Sequence, residues 1–301
     1  MTDAIPGAGR GATWFSRLTD GAAPVPGGPP SLRVADAALG DDVARFLAIV
    51  PDPSARFPRA RQGEVGVEEG WALARSIREW MHAASSPSPP GERATCSSSP
   101  SPPGGRGRGE GAALPPIIAI VDVPSQAYGR LEELLGIHLA CAAAVDAYAS
   151  ARLAGHPVVA LLVGRAMSGA FLAHGYQASR VLALDDPGVV VHAMGKAAAA
   201  RVTRRSVAEL DELGGKVLPM SYDVRDFARL GVVDWLIGGV NADAPTAADV
   251  ARVRRELVAA VRSARRGPTD LGRRLESDGA RQVRAATIEV RRRLAGQWDA
   301  P

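Results

Sequence analysis

The amino-acid sequence predicts an α/β fold built around a largely parallel sheet. Short apolar or β-branched runs alternate along the chain with longer stretches in which apolar residues recur at helical spacing. Two of the runs, PPIIAIVDV and PVVALLVG, are nearly continuous in apolar residues, which is typical of strands buried on both faces. With 46% hydrophobic residues, the 301-residue chain can bury a sizeable core.

The first part of the chain predicts two strands and a helix before the pattern breaks. Residues 1–30 are rich in Gly, Pro and Ala, and we expect them to be loosely ordered. SLRVADA and ARFLAIVPD predict the strands, and GEVGVEEGWALARSIREWMHA predicts the helix. Pro, Ser and Gly dominate residues 85–111, so we expect a disordered insertion within a single domain that spans residues 31–301.

Regular alternation resumes after this insertion. Residues 129–153 predict one long helix between the two buried strands, and its apolar stripe comprises Leu131, Leu135, Leu139, Ala142, Val145, Ala149 and Leu153. The segment SGAFLAHGYQASR predicts a further helix. The later segments predict the strands RVLALDD, GVVVHAM and VVDWLI, the helices KAAAARVT, SVAELDELGG and YDVRDFARLG, and C-terminal helices from AADVARVRRELVAAVRSAR to Trp298.

Composition and charge exclude several classes of protein. The net charge of +4 is spread along the chain, and the clusters VRSARRG and RRRLAGQW favour solvated helix faces, with docking of an acidic or phosphate-bearing partner as the alternative. We find no nucleic-acid motif, no apolar run of about 18 residues and no signal-peptide pattern, so we expect no nucleic-acid binding, no membrane span and a cytoplasmic location. Cys96 and Cys141 are expected to be free, and the scattered histidines predict no metal site.

Each of the two buried strands is followed by a turn that leads into a helix. We call DVPSQAYGR the first turn and GRAMSGAFLAHG the second turn. Adjacent parallel strands end at the same edge of a sheet, where open α/β sheets bind ligands. The start of each helix supplies N–H groups without intrahelical acceptors, and small residues let a ligand oxygen approach the main chain closely. The two turns together therefore predict an oxyanion hole.

Longer stretches around these turns resemble the gamma subunit of biotin-independent malonate decarboxylase. The stretches are RFPRARQGEVGVEEGW, IVDVPSQAYGR and GRAMSGAFLAHGYQASRVLALDDPGVVVHAMGKAAAARVT. The resemblance covers most of the chain except the Ser/Pro insertion and the far C-terminus. It implies a crotonase-like superhelix of ββα repeats, of the type found in the alpha subunits of carboxyltransferases.

The resemblance also implies an activity and a set of partners. A gamma subunit of this family pairs with a beta subunit of the same fold as a heterodimer. The pair decarboxylates a malonyl thioester on an acyl carrier protein, giving acetyl thioester and CO2, in malonate metabolism. The carrier brings a phosphoribosyl-dephospho-CoA prosthetic group, so no cofactor is expected on this chain. A transferase alpha subunit is among the partners that load the carrier.

The implied reaction suits donors placed at the two turns. Loss of CO2 puts negative charge on the thioester oxygen, and donors aimed there stabilise the transition state more than the ground state. By similarity to the crotonase-type turn, Gly169 is the predicted main-chain donor, with Ala170 beside it. The partner donor is predicted among Ser125, Gln126 and Ala127. The alternative for Gly169 is a role in helix packing alone.

Side chains near the turns are predicted to act on the substrate. Ser168 favours helix capping over nucleophilic attack, because the G-x-S-x-G pattern is not met. His192 and His174 are the candidate proton donors, and a structural role is the alternative for each. Lys196 is expected to contact phosphate or act in catalysis.

Tyr128, Gly164 and Met167, together with Gln126, complete the predicted substrate site. Tyr128 and Gln126 are expected to orient the acyl group, while Gly164 and Met167 line the second turn.

Three alternatives stay open at this point. A Clp-type serine peptidase of the same fold would use Ser168 as nucleophile and His192 as base. A biotin-dependent carboxyltransferase subunit would share the fold and the stabilisation of negative charge at the two turns. A non-catalytic partner would only complete the pocket of the beta subunit. Within the main hypothesis, which subunit binds the thioester oxygen also stays open.

Overall fold

The computed structural model describes residues 9–85 and 113–298, and within these residues seven strands form one sheet. The strands are β1 Leu32–Leu39, β2 Asp42–Ile49, β3 Ile117–Val123, β4 Val158–Met167, β5 Arg180–Leu184, β6 Val190–His192 and β7 Trp235–Ile237. The order across the sheet is β1-β2-β3-β4-β5-β7, and β6 pairs with the end of β4. Only the hairpin of β1 and β2 is antiparallel among these pairs, so the predicted α/β class with a largely parallel sheet is confirmed.

Helices connect the parallel strands and cover the sheet. They are α1 Arg10–Thr19, α2 Val67–Ser85, α3 Arg130–Leu134, α4 Ile137–Leu153, α5 Ser168–Ala173, α6 Lys196–Thr203, α7 Val207–Lys216, α8 Val224–Arg229, α9 Ala247–Arg266, α10 Asp278–Val283 and α11 Ala285–Trp298. The strands β3 and β4 lie at the centre, and their residues are almost entirely buried. This burial on both faces explains why the two sequences read as continuous apolar runs.

Helix α1 corrects the expectation that residues 1–30 are loosely ordered for the part that the structure describes, while residues 1–8 lie outside the described residues. Trp14 is fully buried, and its indole Nε1 donates a hydrogen bond to the carbonyl of Ala242 at 2.9 Å. Arg10 pairs with Asp186 at 2.8 Å. The average composition of residues 1–30 hid the short segment TWFSRL, which carries enough apolar surface to dock on the core.

The long helix predicted for residues 129–153 is two helices. Gly136 has φ 80, in the left-handed region that favours glycine, and it separates α3 from α4. The helix predicted from SGAFLAHGYQASR is likewise short: α5 ends at Ala173, and His174 is already extended. In both cases the periodic pattern continued past a point where the main chain turns.

The apolar stripe predicted for residues 129–153, which form α3 and α4, faces outward. Leu131, Leu135 and Leu139 are each more than half exposed. The buried residues of α4 are instead mostly small, as at Ala140 and Ala144. An apolar stripe at helical spacing usually marks the core-facing side, but spacing alone does not distinguish a core from a surface that a partner covers.

The predicted insertion and the predicted absence of a membrane span complete the comparison with the sequence. Apart from Ser85, which ends α2, the insertion predicted at residues 85–111 lies outside the described residues, as does Cys96. In the described part of the chain, no helix combines the length and the hydropathy that crossing a bilayer requires.

Candidate active site

The two turns lie together at the carboxyl ends of β3 and β4. These strands are parallel neighbours, with Val123 beside Ala166 at the end of the pairing. The turns touch directly, because the side-chain oxygen Oε1 of Gln126 accepts a hydrogen bond from the main-chain amide of Gly169 at 3.0 Å. The predicted meeting of the two turns is therefore confirmed.

Main-chain hydrogen bonds hold the first turn. The amide of Ala127 donates to the carbonyl of Val65 at 2.8 Å, and the amide of Val65 donates to the carbonyl of Ser125 at 3.0 Å. Ala127 is also fully buried. Its amide already has a main-chain acceptor, so the prediction that Ala127 donates to the substrate is wrong.

Tyr128 follows at the surface of the first turn. Its side chain is 51% exposed, and the guanidinium of Arg59 lies 4.1 Å from the ring centroid. Arg59 also pairs with Glu64, whose pKa is raised because burial disfavours the carboxylate. The predicted role of Tyr128 in orienting the acyl group stays a prediction.

A bulge brings β4 into the second turn. The register between β3 and β4 shifts between Val121 and Val123, where the carboxylate of Asp122 points at β4. Asp122 accepts the amide of Arg165 at 3.0 Å with one oxygen and the amide of Gly11 at 3.3 Å with the other. Asp122 therefore sets the path of the chain into the second turn.

Gly164 is explained by this carboxylate rather than by a ligand. A Cβ on Gly164 would collide with the side chain of Asp122, its Cγ only 2.5 Å away, and Gly164 itself is buried. The predicted contact of Gly164 with the substrate stays a prediction. Sequence reasoning missed Asp122, although an acidic residue inside the buried run IIAIVDV was the available signal.

Ser168 occupies an unusual backbone conformation at the start of α5. Its φ is 60, in the left-handed region that a residue with a Cβ enters at a cost of about 1–3 kcal/mol. The N-cap of the helix is Met167, and no side-chain cap is formed, so the predicted capping role of Ser168 is wrong. Within the described residues, no hydrogen bond joins Ser168 to His192, as a peptidase dyad would require.

Gly169 sits directly under the Gln126 carboxamide. A Cβ at this position would meet Oε1 at 3.2 Å and Cδ at 3.3 Å. Contacts this tight explain why the position is glycine. The amide of Gly169 was predicted to donate to the substrate; here it donates to Gln126, and its role toward the substrate stays a prediction. Next to it, Ala170 is fully buried.

His174 is a structural residue. The carbonyl of Ile120 accepts a hydrogen bond from Nε2–H at 3.0 Å, which leaves Nδ1 to accept the hydroxyl proton of Tyr148 at 2.9 Å. The ring is fully buried, and this burial lowers the pKa of His174 to about 4, against the opposing effect of the Ile120 carbonyl. The predictions that His174 binds substrate or donates a proton are therefore wrong.

His192 lies at the same sheet edge but in a different environment. It pairs with Met167 in the ladder between β6 and β4, and its ring stacks on Tyr222 with centroids 4.0 Å apart. Nδ1 accepts the amide of Met194 at 3.2 Å. Burial, aided by the nearby charge of Lys196, lowers the pKa of His192, which therefore favours the neutral ring.

Lys196 is engaged by protein groups. Its Nζ lies 2.6 Å from a carboxylate oxygen of Asp211 and 5.0 Å from the ring centroid of Tyr222. A contact between Lys196 and phosphate would have to compete with the Asp211 pair. Met167, the other predicted substrate contact at this edge, is 4% exposed.

An exposed apolar surface begins directly after the first turn. We call it the leucine face, and it comprises Leu131, Leu134, Leu135 and Leu139 on α3 and the start of α4, all more than half exposed. Large contiguous apolar surfaces often mark sites where another protein binds. The leucine face is therefore a candidate surface for a partner beside the two turns.

The strand order and the meeting of the two turns belong to a carboxyltransferase-like fold. The 12S transcarboxylase core in complex with hydrolysed methylmalonyl-coenzyme A has the same fold, with a TM-score of 0.51 at 19% identity over 77% of this chain and 35% of that one. At the level of family, the chain belongs to the malonate decarboxylase gamma subunits (MdcE), whose model matches residues 60–298.

Close relatives agree with this family. A chain of the Pseudomonas malonate decarboxylase hetero-tetramer in complex with coenzyme A is 52% identical, with a TM-score of 0.83 over 96% of this chain and 99% of that chain. A chain of the Pseudomonas MdcD–MdcE hetero-dimer is 51% identical, with a TM-score of 0.80 and the same coverage. The malonyl-S-ACP:biotin-protein carboxyltransferase MADD of Malonomonas rubra is 32% identical over 266 residues, 87% of this chain and 82% of that protein.

Proposed function

We propose that this chain and a beta subunit of the same fold decarboxylate a malonyl thioester on an acyl carrier protein. The family and the heteromeric relatives support this activity. The observation that carries it is the hydrogen bond between Gln126 and Gly169, at 3.0 Å, because it puts both turns within reach of a single ligand oxygen. The products are an acetyl thioester and CO2.

The chemistry follows from where the electron pair goes. The bond between the carboxylate carbon and the methylene carbon breaks, and its electron pair moves onto the thioester oxygen as an enolate. Fixed donors stabilise this oxygen without moving during the reaction, and a neutral, water-poor surrounding favours CO2 over the carboxylate. A proton then adds to the methylene carbon. His192 stays the predicted source, because it lies beside the second turn and His174 is sealed in the core. Since its lowered pKa favours the neutral ring, His192 would first take up a proton from water.

The beta subunit is proposed to cover the leucine face. The face starts at Leu131, directly after Arg130, which ends the first turn, so a protein seated on it would also close the site. Leu134 is 75% exposed, which is unfavourable for a large apolar side chain in water. Closure by the partner would remove water from around the two turns and strengthen every hydrogen bond to the substrate.

The remaining partners are proposals on the same basis. The acyl group is proposed to arrive on the phosphoribosyl-dephospho-CoA arm of the carrier, after loading that involves a transferase alpha subunit, in the cytoplasm. Arg56 and Arg59 lie on the loop before α2, and Arg59 lies against Tyr128 of the first turn. These guanidinium groups are proposed to meet a phosphate-bearing arm beside the site, in competition with their pairs to Glu68 and Glu64.

A second candidate function is transfer of the carboxyl group to a biotin protein. The Malonomonas rubra relative, whose name describes this transfer, favours it. The serine peptidase alternative has no comparable support, because the family and the missing contact between Ser168 and His192 both oppose it.

Turnover by the purified complex distinguishes the two functions. This chain is co-produced with the beta subunit of the same organism, and CO2 and acetyl carrier are measured from malonyl carrier without biotin. Release of CO2 at a catalytic rate supports the decarboxylase. A strict requirement for a biotinylated acceptor would replace it with the carboxyltransferase.

A further inference from the structure

We infer that the side-chain carboxamide of Gln126, rather than the main-chain amide of Gly169, is the donor that this chain presents to the substrate oxygen. The inference rests on the proposed decarboxylation and specifies the group in this chain that contacts the thioester.

The hydrogen bond to Gly169 fixes which end of the carboxamide is free. A glutamine side chain has one acceptor oxygen and one nitrogen with two donors. Oε1 of Gln126 accepts the Gly169 amide at 3.0 Å, so Nε2 must point away from Gly169. Among the residues that the structure describes, Nε2 meets no acceptor, and it is not one of the buried unpaired atoms. Its N–H groups are therefore open at the surface of the site.

Gln126 is held both at its main chain and at the tip of its side chain. Its main chain is fixed by the flanking hydrogen bonds of Ser125 and Ala127 to Val65, at 3.0 and 2.8 Å. Its tip is fixed by Gly169, where a Cβ would come within 3.3 Å of Cδ. A donor held in this way does not have to reorganise when charge develops on a nearby oxygen, which is the condition for strong transition-state stabilisation.

The donors lie where the reaction would occur. Gln126 is half-buried at the carboxyl end of β3, between the second turn and the start of the leucine face. A partner on that face would leave the Nε2 donors in a closed, water-poor space. A neutral donor there binds an enolate oxygen more strongly than a thioester oxygen, so the interaction grows as the carbon–carbon bond breaks.

In this arrangement the Gly169 amide acts on the substrate indirectly, through Gln126. Its hydrogen bond polarises the carboxamide, which makes Nε2 a better donor through the cooperativity of linked hydrogen bonds. Gly169 is then a positioning residue for Gln126. The proposed role differs from a displaceable cap, in which Oε1 would leave and the substrate oxygen would take its place on Gly169.

Substitution of Gln126 in the assembled complex tests the inference. In Gln126→Met the side chain keeps its length but loses the donor, and we expect kcat on malonyl carrier to fall about 100- to 1,000-fold with little change in KM. Gln126→Glu keeps an acceptor for Gly169 but replaces the donor with a negative charge, and we expect a loss at least as large. Gln282→Glu, on the exposed surface of α10, is the matched control and should leave kcat unchanged.

Each other outcome overturns the inference. A Gln126→Met complex with unchanged or faster kcat would show that Gln126 only caps Gly169. A rise in KM with unchanged kcat would show ground-state binding instead. Because wild-type activity is measured in the same assay, an inactive wild-type complex counts against the proposed function, whereas a loss confined to the variants concerns Gln126. Size-exclusion chromatography of the complexes confirms assembly, and Gln126→Glu provides the same readout should Gln126→Met fail to assemble.

Discussion

Two side chains from the β3 segment bind two amides of the β4 segment, and they do so in contrasting ways. Asp122 binds the amide of Arg165 and Gln126 binds the amide of Gly169, each across 43 residues of sequence. The Asp122 side chain is only 10% exposed and also binds Gly11. Gln126 is half-buried, and its Nε2 donors meet no acceptor among the residues that the structure describes. The same type of contact thus serves packing inside the sheet and, in the proposed mechanism, chemistry at its edge.

A third contact extends this comparison into the core. His174, at the end of α5, binds the carbonyl of Ile120 in β3 and is completely buried. From Ile120 through Asp122 to Gln126, the contacts become progressively more exposed along one segment. We therefore expect changes at His174 and Asp122 to alter stability, and changes at the Gln126 contact to alter turnover.

The largest effect is expected from Gly169→Val. A side chain at this position would push the Gln126 carboxamide from its place, because even a Cβ comes within 3.2 Å of Oε1. We expect kcat to fall about 1,000-fold, the upper range for losing one fixed donor. Steady-state turnover of malonyl carrier by the complex measures it.

The control for this change is another glycine. Gly215→Val replaces a glycine on α7 where a Cβ would meet nothing within 4 Å. It should leave turnover unchanged. Equal losses in both variants, or full activity in Gly169→Val, would contradict the assignment of Gly169 as a positioning residue.

His174→Gln should change how stability depends on pH. In the unfolded chain the imidazole takes up a proton near its usual pKa of 6.5, whereas in the folded chain it does so only at about 4. The contribution of the neutral His174 ring to the free energy of unfolding is therefore fully present above pH 6.5 and is lost as the pH falls toward 4. Between these pH values, the free energy of unfolding of the wild type should fall by about 3 kcal/mol more than that of the variant.

Urea denaturation of the full chain at several pH values measures this difference. A glutamine can still accept from Tyr148 and donate to Ile120, so the comparison isolates the proton uptake. Parallel pH dependences in the two proteins would show that His174 is not sealed from water, and the contrast with His192 would fail.

Asp122→Ala should lower the free energy of unfolding by about 2 kcal/mol, since two amides lose a charged acceptor. Asp122→Asn keeps one side-chain oxygen and should cost less. Urea denaturation of the full chain gives both values. If Asp122→Ala kept full stability but lost activity, Asp122 would belong with Gln126 rather than with the core.

The smallest effect is expected at the leucine face. Leu134→Ser should weaken binding of the beta subunit about 10-fold, by removing apolar area from the contact, and should leave the stability of the free chain unchanged. Leu153→Ser is the matched control, because Leu153 is 60% exposed at the other end of α4. Titration by calorimetry compares them, and equal affinities would remove the leucine face from the interface.

The sequence was informative wherever a local pattern decides the structure. The runs PPIIAIVDV and PVVALLVG predicted the two central strands, and the turns after them met as expected. Burial on both faces leaves a continuous apolar run that needs no knowledge of the partner strand. The family resemblance then supplied the activity that these elements are proposed to support, and the family match confirms the family.

The sequence was uninformative where two distant segments decide the structure together. The contact between Gln126 and Gly169 depends on the rotamer of one side chain, and the bulge at Gly164 depends on Asp122 in another strand. Nothing in the local pattern around Gly169 shows that its amide is occupied. The outward direction of the leucine face was likewise not predictable, because the spacing of apolar residues shows their periodicity but not which side of the helix meets the sheet.

The central claim is that Gln126 contacts the substrate through Nε2 while Oε1 stays on Gly169. A crystal structure of the complex of this chain and its beta subunit with a stable malonyl-thioester analogue tests this most directly. We predict the analogue oxygen at about 2.7–3.1 Å from Nε2, with the bond between Oε1 and the Gly169 amide intact. An analogue oxygen bound to the Gly169 amide, with the Gln126 side chain turned away, would contradict the account.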